Sequence, residues 1–537
     1  MRDHIDDTWA PLNYVPELAG SGRPKGSKTW VDDVDARRLT AYRVLHSYAN
    51  NTRRFWLPDE EWAGGVENVD GMIRFSKGYA SNVREYGDPA LLVNTARALI
   101  LGEDQSIEFP DLDDEATPGV IEEWLLEWAT RERFTQKLLQ GEETTVGIGD
   151  GVHVLGVNEA KRRPVHRVYD PGFYFPDTTT LVPGWVDDEF PPIVHLAWEQ
   201  EDTEGVTWVV RHTWRMERLD TPRPAPWGGT QEWACLYREV HYRVDAMLDN
   251  ANVYSPEISR KSGTKVVKDW TDTRVDFIPV VHVPNTPDEW GKSILLTVGQ
   301  ILDDIAGTDT DLSGGAQTSA NSTLVTTGPT QPPALTGRPG EQLGMTEGSA
   351  AWTDTSKNLL ALTGYLDKLT ERLAQNSRLS QALLGQVQPN EVPSGTALSL
   401  GFHPARQLMR EARTVRDEKY PLILRFAVRL AQAAGWLPAG ETPRVVVALG
   451  ASLPADLAEA VKTVTDLLPV HGISTATAVR ILVKAGLPIE DATAEVEAIR
   501  QESYDAAVKL VEATGNAAAA AQMLGVPPVT TTGLVES

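Results

Sequence analysis

The spacing of apolar residues along the chain changes from helical to alternating and then back to helical. Apolar positions three and four residues apart predict helices over 32–50, 91–100 and 119–139. Between about 145 and 285, short runs rich in β-branched and aromatic residues, such as 193–198, are separated by Pro, Gly and Asp. This order predicts a helical start followed by a sheet-containing region.

A second helical pattern begins at Ser293. If this helix continued to Ala320, it would be about 42 Å long at 1.5 Å per residue. Residues 323–352 interrupt the pattern with glycines, prolines and short β-like runs, after which a leucine stripe resumes over 359–373. The sequence therefore predicts two helices on either side of a small irregular module. The apolar face of the first helix comprises Ile294, Leu295, Val298, Ile301, Leu302 and Ile305.

The rest of the chain alternates between loop and helix. Leu384–Gly395 is rich in Gly, Pro and amide side chains, which excludes a continuous helix. A long helical tract then runs to Ala434, with breaks expected at Pro404 and Pro421, and 444–449 is a strand candidate. The alanine-rich remainder is predicted to be helical, whereas the first 30 residues lack apolar periodicity and are predicted to form an arm.

Composition narrows the class of protein. The 537 residues carry 50 Lys plus Arg against 75 Asp plus Glu, a formal charge of −25, which disfavours tight, sequence-independent capture of nucleic acid by the whole surface. The single Cys235 cannot form an intramolecular disulfide, so folding in a reducing compartment is expected. No apolar stretch reaches the ~20 residues of a membrane span, and the N-terminus has no signal-like apolar region.

Motifs that could carry catalysis are incomplete. Gly291-Lys292-Ser293 resembles the end of a phosphate-binding loop, but its first glycine position is Thr286, so a bend before a helix is the preferred interpretation. Gly147–Gly151 has the wrong glycine spacing for a dinucleotide site and is interpreted as a turn. Cys235 lies in a predicted half-buried strand, and the histidines show no metalloprotease spacing.

A partial calcium pattern occurs at Asp309–Gly314. It has oxygen-bearing residues at the first, third and fifth positions and Gly at the sixth, but the twelfth position is Ala320 instead of a bidentate Glu. An acidic, solvated helix face is the preferred interpretation. The sequence therefore predicts no enzyme, no cofactor and no metal site, although an ion near Asp309 and Asp311 stays open.

The order of these segments resembles the portal proteins of tailed bacteriophages, over roughly 85–510. Leu91–Phe109 is similar to an early helix and turn of that family, and Gly291-Lys292-Ser293 is similar to the start of its strut helix. Singly these motifs are weak, and the resemblance depends on their common order. The remaining similar segments are Gly149–Leu155, Tyr169–Pro176, Ile278–Asn285, Val392–Ala397, Ile473–Thr477 and Glu495–Glu502.

The resemblance implies an α+β multi-domain fold, in which an α/β wing, a two-helix stem, a small β-containing clip and an α-helical crown follow one another. It divides the chain into an N-terminal arm (1–30), wing (31–291), first stem helix (292–322), clip (323–352), second stem helix (353–382), tunnel loop (383–395), a long helix and strand returning to the wing (396–450), and crown (451–537).

For function, the resemblance implies a non-enzymatic ring, typically a dodecamer, at one capsid vertex of the virion. The ring would be assembled in the host cytoplasm and would conduct double-stranded DNA during packaging and ejection. Further implied partners are the terminase large subunit, a head–tail adaptor, the major capsid protein and scaffold, with no membrane. DNA-facing residues would be Gln386, Gln388, Asn390, Glu391 and Ser394, and subunit contacts would involve Leu362, Leu366 and Leu369 together with the apolar face that follows Ser293.

Physical arguments support this assignment and leave alternatives. An acidic bore would repel DNA and so permit sliding, and the apolar stripes on both stem helices exceed what a two-helix hairpin can bury, which favours coverage by neighbouring subunits. A non-portal structural or adaptor protein of a virion stays open as an alternative. A nucleotide-dependent packaging enzyme is the alternative from another class, but it would need a complete phosphate loop.

Overall fold

A computed structural model describes most of the chain. The described residues are 30–50, 67–69, 72–74, 86–111, 119–185, 190–249, 251–320, 324–327, 349–352, 356–385, 401–450, 457–468, 472–484, 487 and 492–514.

The chain divides into two compact units. The first comprises Met1–Leu101 and Gln105–Ala448, and the second comprises Gly102–Asp104 and Leu449–Ser537. In the second unit, helices dominate the described residues after 456, and Ser474 caps one of them by accepting the backbone N–H of Thr477.

The described residues of the first unit form seven α-helices, two of which make a hairpin. They are α1 (Asp33–Ala49), α2 (Asp88–Leu101), α3 (Val120–Arg131), α4 (Phe134–Ile148), α5 (Gly299–Ala320), α6 (Ser356–Asn376) and α7 (His403–Ala433). The second unit contains α8 (Leu457–Leu467), α9 (Thr475–Lys484) and α10 (Ala492–Thr514).

The strands pair mainly as antiparallel neighbours. They are β1 (Glu67–Val69), β2 (Met72–Arg74), β3 (Gln105–Glu108), β4 (Asp150–Asn158), β5 (Arg163–Tyr169), β6 (Tyr174–Asp177), β7 (Ile193–Glu201), β8 (Thr207–Pro224), β9 (Thr230–Arg243), β10 (Thr264–Asp272), β11 (Val280–Pro284), β12 (Leu324–Thr327), β13 (Ser349–Trp352) and β14 (Val446–Leu449).

Two sheets form the body of the first unit. One has the order β10-β9-β8-β7-β6, and the other has the order β11-β4-β5. The three-stranded sheet is covered by α4 and α7, so Val152 and Leu155 of its central strand are buried. Within the described part of the chain, 48% of the residues are helical and 24% lie in strands, and the fold is of the mixed α+β class, as the sequence predicted.

Three local predictions need correction. The helix expected to start at Ser293 begins with a 3₁₀ turn over Ile294–Thr297, and the α-helix starts only at Gly299. The single helix expected over 119–139 is two helices, because Arg133 adopts the left-handed region with φ 54°. Its neighbour Glu132 turns inward, where Lys137 and Arg163 each bind its carboxylate at 2.8 Å.

The predicted break at Pro421 is also wrong, because α7 continues through this residue. Proline removes the N–H that would bond to the carbonyl of Asp417, a residue that is exposed and can bind water instead. The flanking side chains of Tyr420, Ile423 and Leu424 are fully buried, and this packing outweighs the lost bond. Pro404 was correctly placed at a boundary, since it lies in the first turn of α7.

None of the helices in the described part of the chain is long and apolar enough to cross a membrane.

Candidate functional site

The most distinctive feature of the first unit is a helical hairpin made by α5 and α6. The two helices pack together, and β12 and β13 pair between them in the chain, with Leu324 opposite Trp352 and Thr327 opposite Ser349. Gly315 of α5 allows close packing, because a Cβ atom there would lie 2.8 Å from Cδ2 of Leu359 on α6. The order helix, β pair, helix agrees with the sequence prediction.

Most of α6 faces solvent. Leu360 is 74% exposed and Tyr365 is 46% exposed, whereas Leu369 and Leu373 near the end of the helix are buried. Large apolar side chains are normally covered unless the surface binds a partner. The hairpin is therefore anchored at one end and carries uncovered apolar groups along α6.

The predicted subunit-contact residues fall into two groups. Ile294, Leu295, Val298, Leu302, Ile305 and Leu369 are buried within the single chain. Ile301, Leu362 and Leu366 are half-buried. Burial within a single chain does not test a subunit contact. The half-buried residues have more exposed surface than the buried ones, and a neighbouring subunit could cover it.

The hairpin starts from a backbone junction between residues 149 and 291. Gly149 has φ +118° and its carbonyl accepts the backbone N–H of Asn285 at 2.7 Å. A Cβ atom on Gly291 would lie 2.0 Å from the oxygen of Gly149, so only glycine allows this approach. The buried Ser293 hydroxyl donates to the carbonyl of Gly147 at 2.7 Å and accepts the N–H of Leu295 at 3.0 Å.

Asp150 is the polar centre of this junction. Its carboxylate is fully buried and accepts three hydrogen bonds: from the hydroxyl of Tyr42 at 2.6 Å, from Nε2 of His282 at 2.7 Å and from the backbone N–H of Gly291 at 2.9 Å. Burial, together with the Asp150 charge, raises the pKa of Tyr42 well above its usual value. One side chain thus links α1, β4, β11 and the start of the hairpin.

Aromatic residues close over the junction. The ring of His282 stacks on Tyr174 with centroids 5.1 Å apart and lies 5.3 Å from Trp290. The guanidinium of Arg38 lies 4.1 Å from the Trp290 ring centroid and donates to the carbonyl of Tyr174 at 2.9 Å. The segment before the hairpin is therefore held by packing as well as by hydrogen bonds.

A second buried network attaches α7 to the body. Arg416 is fully buried and binds both carboxylate oxygens of Glu142, with distances of 2.8 and 2.9 Å. The hydroxyl of Tyr420 also donates to Glu142, and Arg416 donates to the side-chain oxygen of Asn285 at 2.9 Å. Burial alone would lower the pKa of Arg416, but the Glu142 carboxylate raises it, so the ion pair is maintained.

Two buried histidines lie beside this network. Nδ1 of His153 and Nε2 of His166 share a hydrogen bond of 2.9 Å, and their other ring nitrogens have no hydrogen-bond partner among the described residues. Burial lowers the pKa of His153 from 6.5 to about 4, although Glu142 opposes the shift, and burial also lowers the pKa of His166. Both rings are neutral near pH 7.

We expect the first unit to lose stability as pH falls from 7 to 5. The unfolded chain binds protons near pH 6.5 while folded His153 stays neutral until about pH 4, so this stability is complete above pH 6.5 and declines below it. His153 alone accounts for about 2 kcal/mol at pH 5. Denaturant unfolding at both pH values measures the loss, which His153→Gln should reduce and the exposed-site control His403→Gln should leave unchanged. An identical loss in the His153→Gln variant would contradict the assignment.

Several predicted site residues lie outside the described part of the chain. These are the predicted DNA-facing residues Gln386, Gln388, Asn390, Glu391 and Ser394. Most of the predicted clip, 323–352, is likewise outside it, apart from β12 and β13. Their predicted roles stay predictions.

The structure places the other motifs in structural positions. Lys292 is exposed and its Nζ lies 3.0 Å from Asp288, before the capped 3₁₀ turn. Asp309–Gly314 lies inside α5, so its oxygens cannot surround an ion as an EF-hand loop does. Cys235 is fully buried in β9, and burial raises the pKa of its thiol to about 12.

Sequence reasoning missed the two buried networks. Glu142 and Arg416 are 274 positions apart, and no local spacing links them. The sequence did contain one indication of the Glu142–Arg416 network. Arg416 lies on the same buried face of α7 as Ala412 and Val415, and a charged residue on an apolar face needs a buried partner.

The comparisons with known proteins add no assignment: no family model matches the chain, and no curated protein matches it.

Proposed function

We propose that this chain is the subunit of a portal ring of a tailed bacteriophage, a conduit for double-stranded DNA at one capsid vertex. The observation that supports this most is the hairpin of α5 and α6. It leaves an α/β body through a closely packed glycine junction, contains a β pair between its helices and is followed by the long α7. This order agrees with the stem, clip and long helix that the sequence resemblance implies.

The exposed surface of α6 supports assembly through this hairpin. Rings are built from heterologous contacts, in which one patch of each subunit meets a different patch of the next. Leu360 and Tyr365 are apolar side chains that such a contact would bury. The half-buried Ile301, Leu362 and Leu366 would complete the contact.

The proposal includes the implied partners. The terminase large subunit and a head–tail adaptor would bind at the clip, whereas the major capsid protein and scaffold would surround the ring in the virion. The chain would act as a structural platform and not as an enzyme. A non-portal virion protein is the alternative, and it would lack the ring.

We expect the double variant Leu360→Lys, Tyr365→Lys to remain folded but to lose assembly. Both side chains are exposed, so the monomer tolerates the charges, whereas a buried subunit contact does not. Sedimentation should show large particles for the native chain and subunits for the variant. Leu181→Lys is a matched control, because Leu181 is 91% exposed and far along the chain from the hairpin, and it should assemble normally. Normal assembly of the double variant would exclude these two side chains of α6 from the subunit contact.

A further inference from the structure

Helix α7 carries a net charge opposite in sign to that of the whole protein. The chain as a whole has a formal charge of −25, yet α7 contains six Arg and one Lys against three acidic residues. Such a local reversal of sign marks a surface where an anionic partner can be attracted.

Most of the other cations of α7 are paired within the chain. Arg413 donates to the carbonyl of Ile100 at 2.8 Å, and Arg416 binds Glu142 in the core. Nζ of Lys419 lies 2.7 Å from Oε1 of Glu418, and Nη1 of Arg429 lies 4.0 Å from Oδ1 of Asp276. In contrast, Arg406, Arg410 and Arg425 are exposed, and no carboxylate of the described residues lies within 4 Å of their guanidinium groups. Of these three, Arg406 and Arg410 lie together near the start of the helix.

Arg406 and Arg410 form part of one continuous stripe. They are one helical turn apart, and the exposed residues His403, Gln407 and Thr414 extend the same face to a length of about 16 Å. The opposite face is fixed in the body, since Ala405, Met409 and Ala412 are buried. The guanidinium groups are therefore presented to solvent on a rigid support.

The neighbouring carboxylate does not cancel this charge. Glu411 accepts Nη1 of Arg378 at 2.9 Å and the side-chain amide of Gln407 at 3.2 Å. Arg378 lies just after α6 and adopts φ 60°, a left-handed conformation that is rare for residues with a side chain. With Glu411 balanced by Arg378, the stripe keeps the two positive charges of Arg406 and Arg410.

The stripe lacks the apolar centre of a protein interface. Between 403 and 414 its exposed residues include no Leu, Ile, Val, Met or aromatic side chain, whereas interface centres are apolar. Guanidinium groups match phosphate oxygens, and amide and hydroxyl groups donate weaker bonds to the same backbone.

We propose that the stripe of His403, Arg406, Gln407, Arg410 and Thr414 contacts the phosphate backbone of double-stranded DNA. This inference rests on the proposed portal function and adds the surface that would guide the duplex. Two cations per subunit bind weakly and exchange readily, so the contact orients DNA without holding it. The net charge of −25 disfavours DNA capture by the whole surface, but it does not exclude a contact at this local basic surface.

The test measures binding of a short fluorescent DNA duplex to the full chain by anisotropy. Arg406→Gln, Arg410→Gln should weaken binding about tenfold or more at ~50 mM salt. The slope of log affinity against log salt should fall by about 2 for each subunit that contacts the duplex. Lys265→Gln, Lys268→Gln removes the same charge from the exposed β10 and should change neither quantity.

The outcomes separate this inference from the proposed function. Equal weakening by both double variants would mean general charge attraction and would overturn the inference. If the α7 variant instead kept its DNA affinity but changed its particle size, the stripe would be a protein contact. That result would also overturn the inference. Sedimentation of the native chain in the same samples reports the size of its assemblies, so absence of large assemblies would count against the portal function independently of the binding result.

Discussion

Replacement of Arg416 by methionine is expected to lower the free energy of unfolding of the first unit by about 3–5 kcal/mol. The substitution leaves the carboxylate of Glu142 in the core without its cation, and a buried charge without a partner is strongly destabilising. The hydrogen bond that Tyr420 donates to Glu142 cannot replace a positive charge. Denaturant unfolding followed by tryptophan fluorescence measures the change.

Two further variants make this experiment specific. Glu142→Gln combined with Arg416→Met removes both charges and should recover much of the lost stability, since the penalty arises from the unpaired ion. Arg410→Met changes an exposed residue of the same helix and should alter stability by no more than about 0.5 kcal/mol. If Arg416→Met were no more harmful than Arg410→Met, the pair would not anchor α7.

The second large effect is expected at Gly291. In Gly291→Ala the new Cβ atom would lie 2.0 Å from the carbonyl oxygen of Gly149 and 2.3 Å from the backbone nitrogen of Asn285. Both neighbours are backbone atoms that hold the start of the hairpin, so they cannot move without breaking the junction. We expect a loss of about 3 kcal/mol or more, or a chain that does not fold.

Gly364 is the matched control for Gly291. It lies within α6, and a Cβ atom there meets nothing within 4 Å. Gly364→Ala should therefore stabilise the protein by up to about 1 kcal/mol, because alanine favours the helix. Thermal unfolding of both variants measures the two effects. If Gly291→Ala were as stable as Gly364→Ala, the junction would tolerate a side chain and the prediction would be wrong.

The sequence predicted the order of elements because periodicity is a local property. The change from helical spacing to alternation and back placed β4, β7 and α6 close to where the structure has them, and it placed α5 correctly except for its start. Gly149 lies in the predicted turn, where it ends α4, and Ser293 caps the 3₁₀ turn before α5, since both act on their immediate neighbours. These parts of the fold depend on residues close in sequence.

The corrections arise where packing overrides a local preference. Proline disfavours a helix interior, yet the buried Tyr420, Ile423 and Leu424 hold α7 together around Pro421. Arg133 ends α3 because Glu132 bonds to residues of α4 and β5, which no helical pattern reveals.

Much of the candidate site depends on contacts between distant residues. Asp150 binds Tyr42 and His282, which are 108 and 132 positions away, and composition made such carboxylates look like ordinary surface charge. The stripe on α7 was missed for a related reason, since the net charge of −25 concealed a local excess of Arg. Both features are recognised only when the burial of each side chain and its hydrogen-bond or ion-pair partners are known.

Electron microscopy of the purified full chain tests the central claim most directly. The proposed function predicts ring-shaped particles with rotational symmetry, typically twelvefold, and a central hole wide enough for a DNA duplex. Monomers, dimers or open filaments at every concentration examined, including in the presence of scaffold, would contradict the portal assignment.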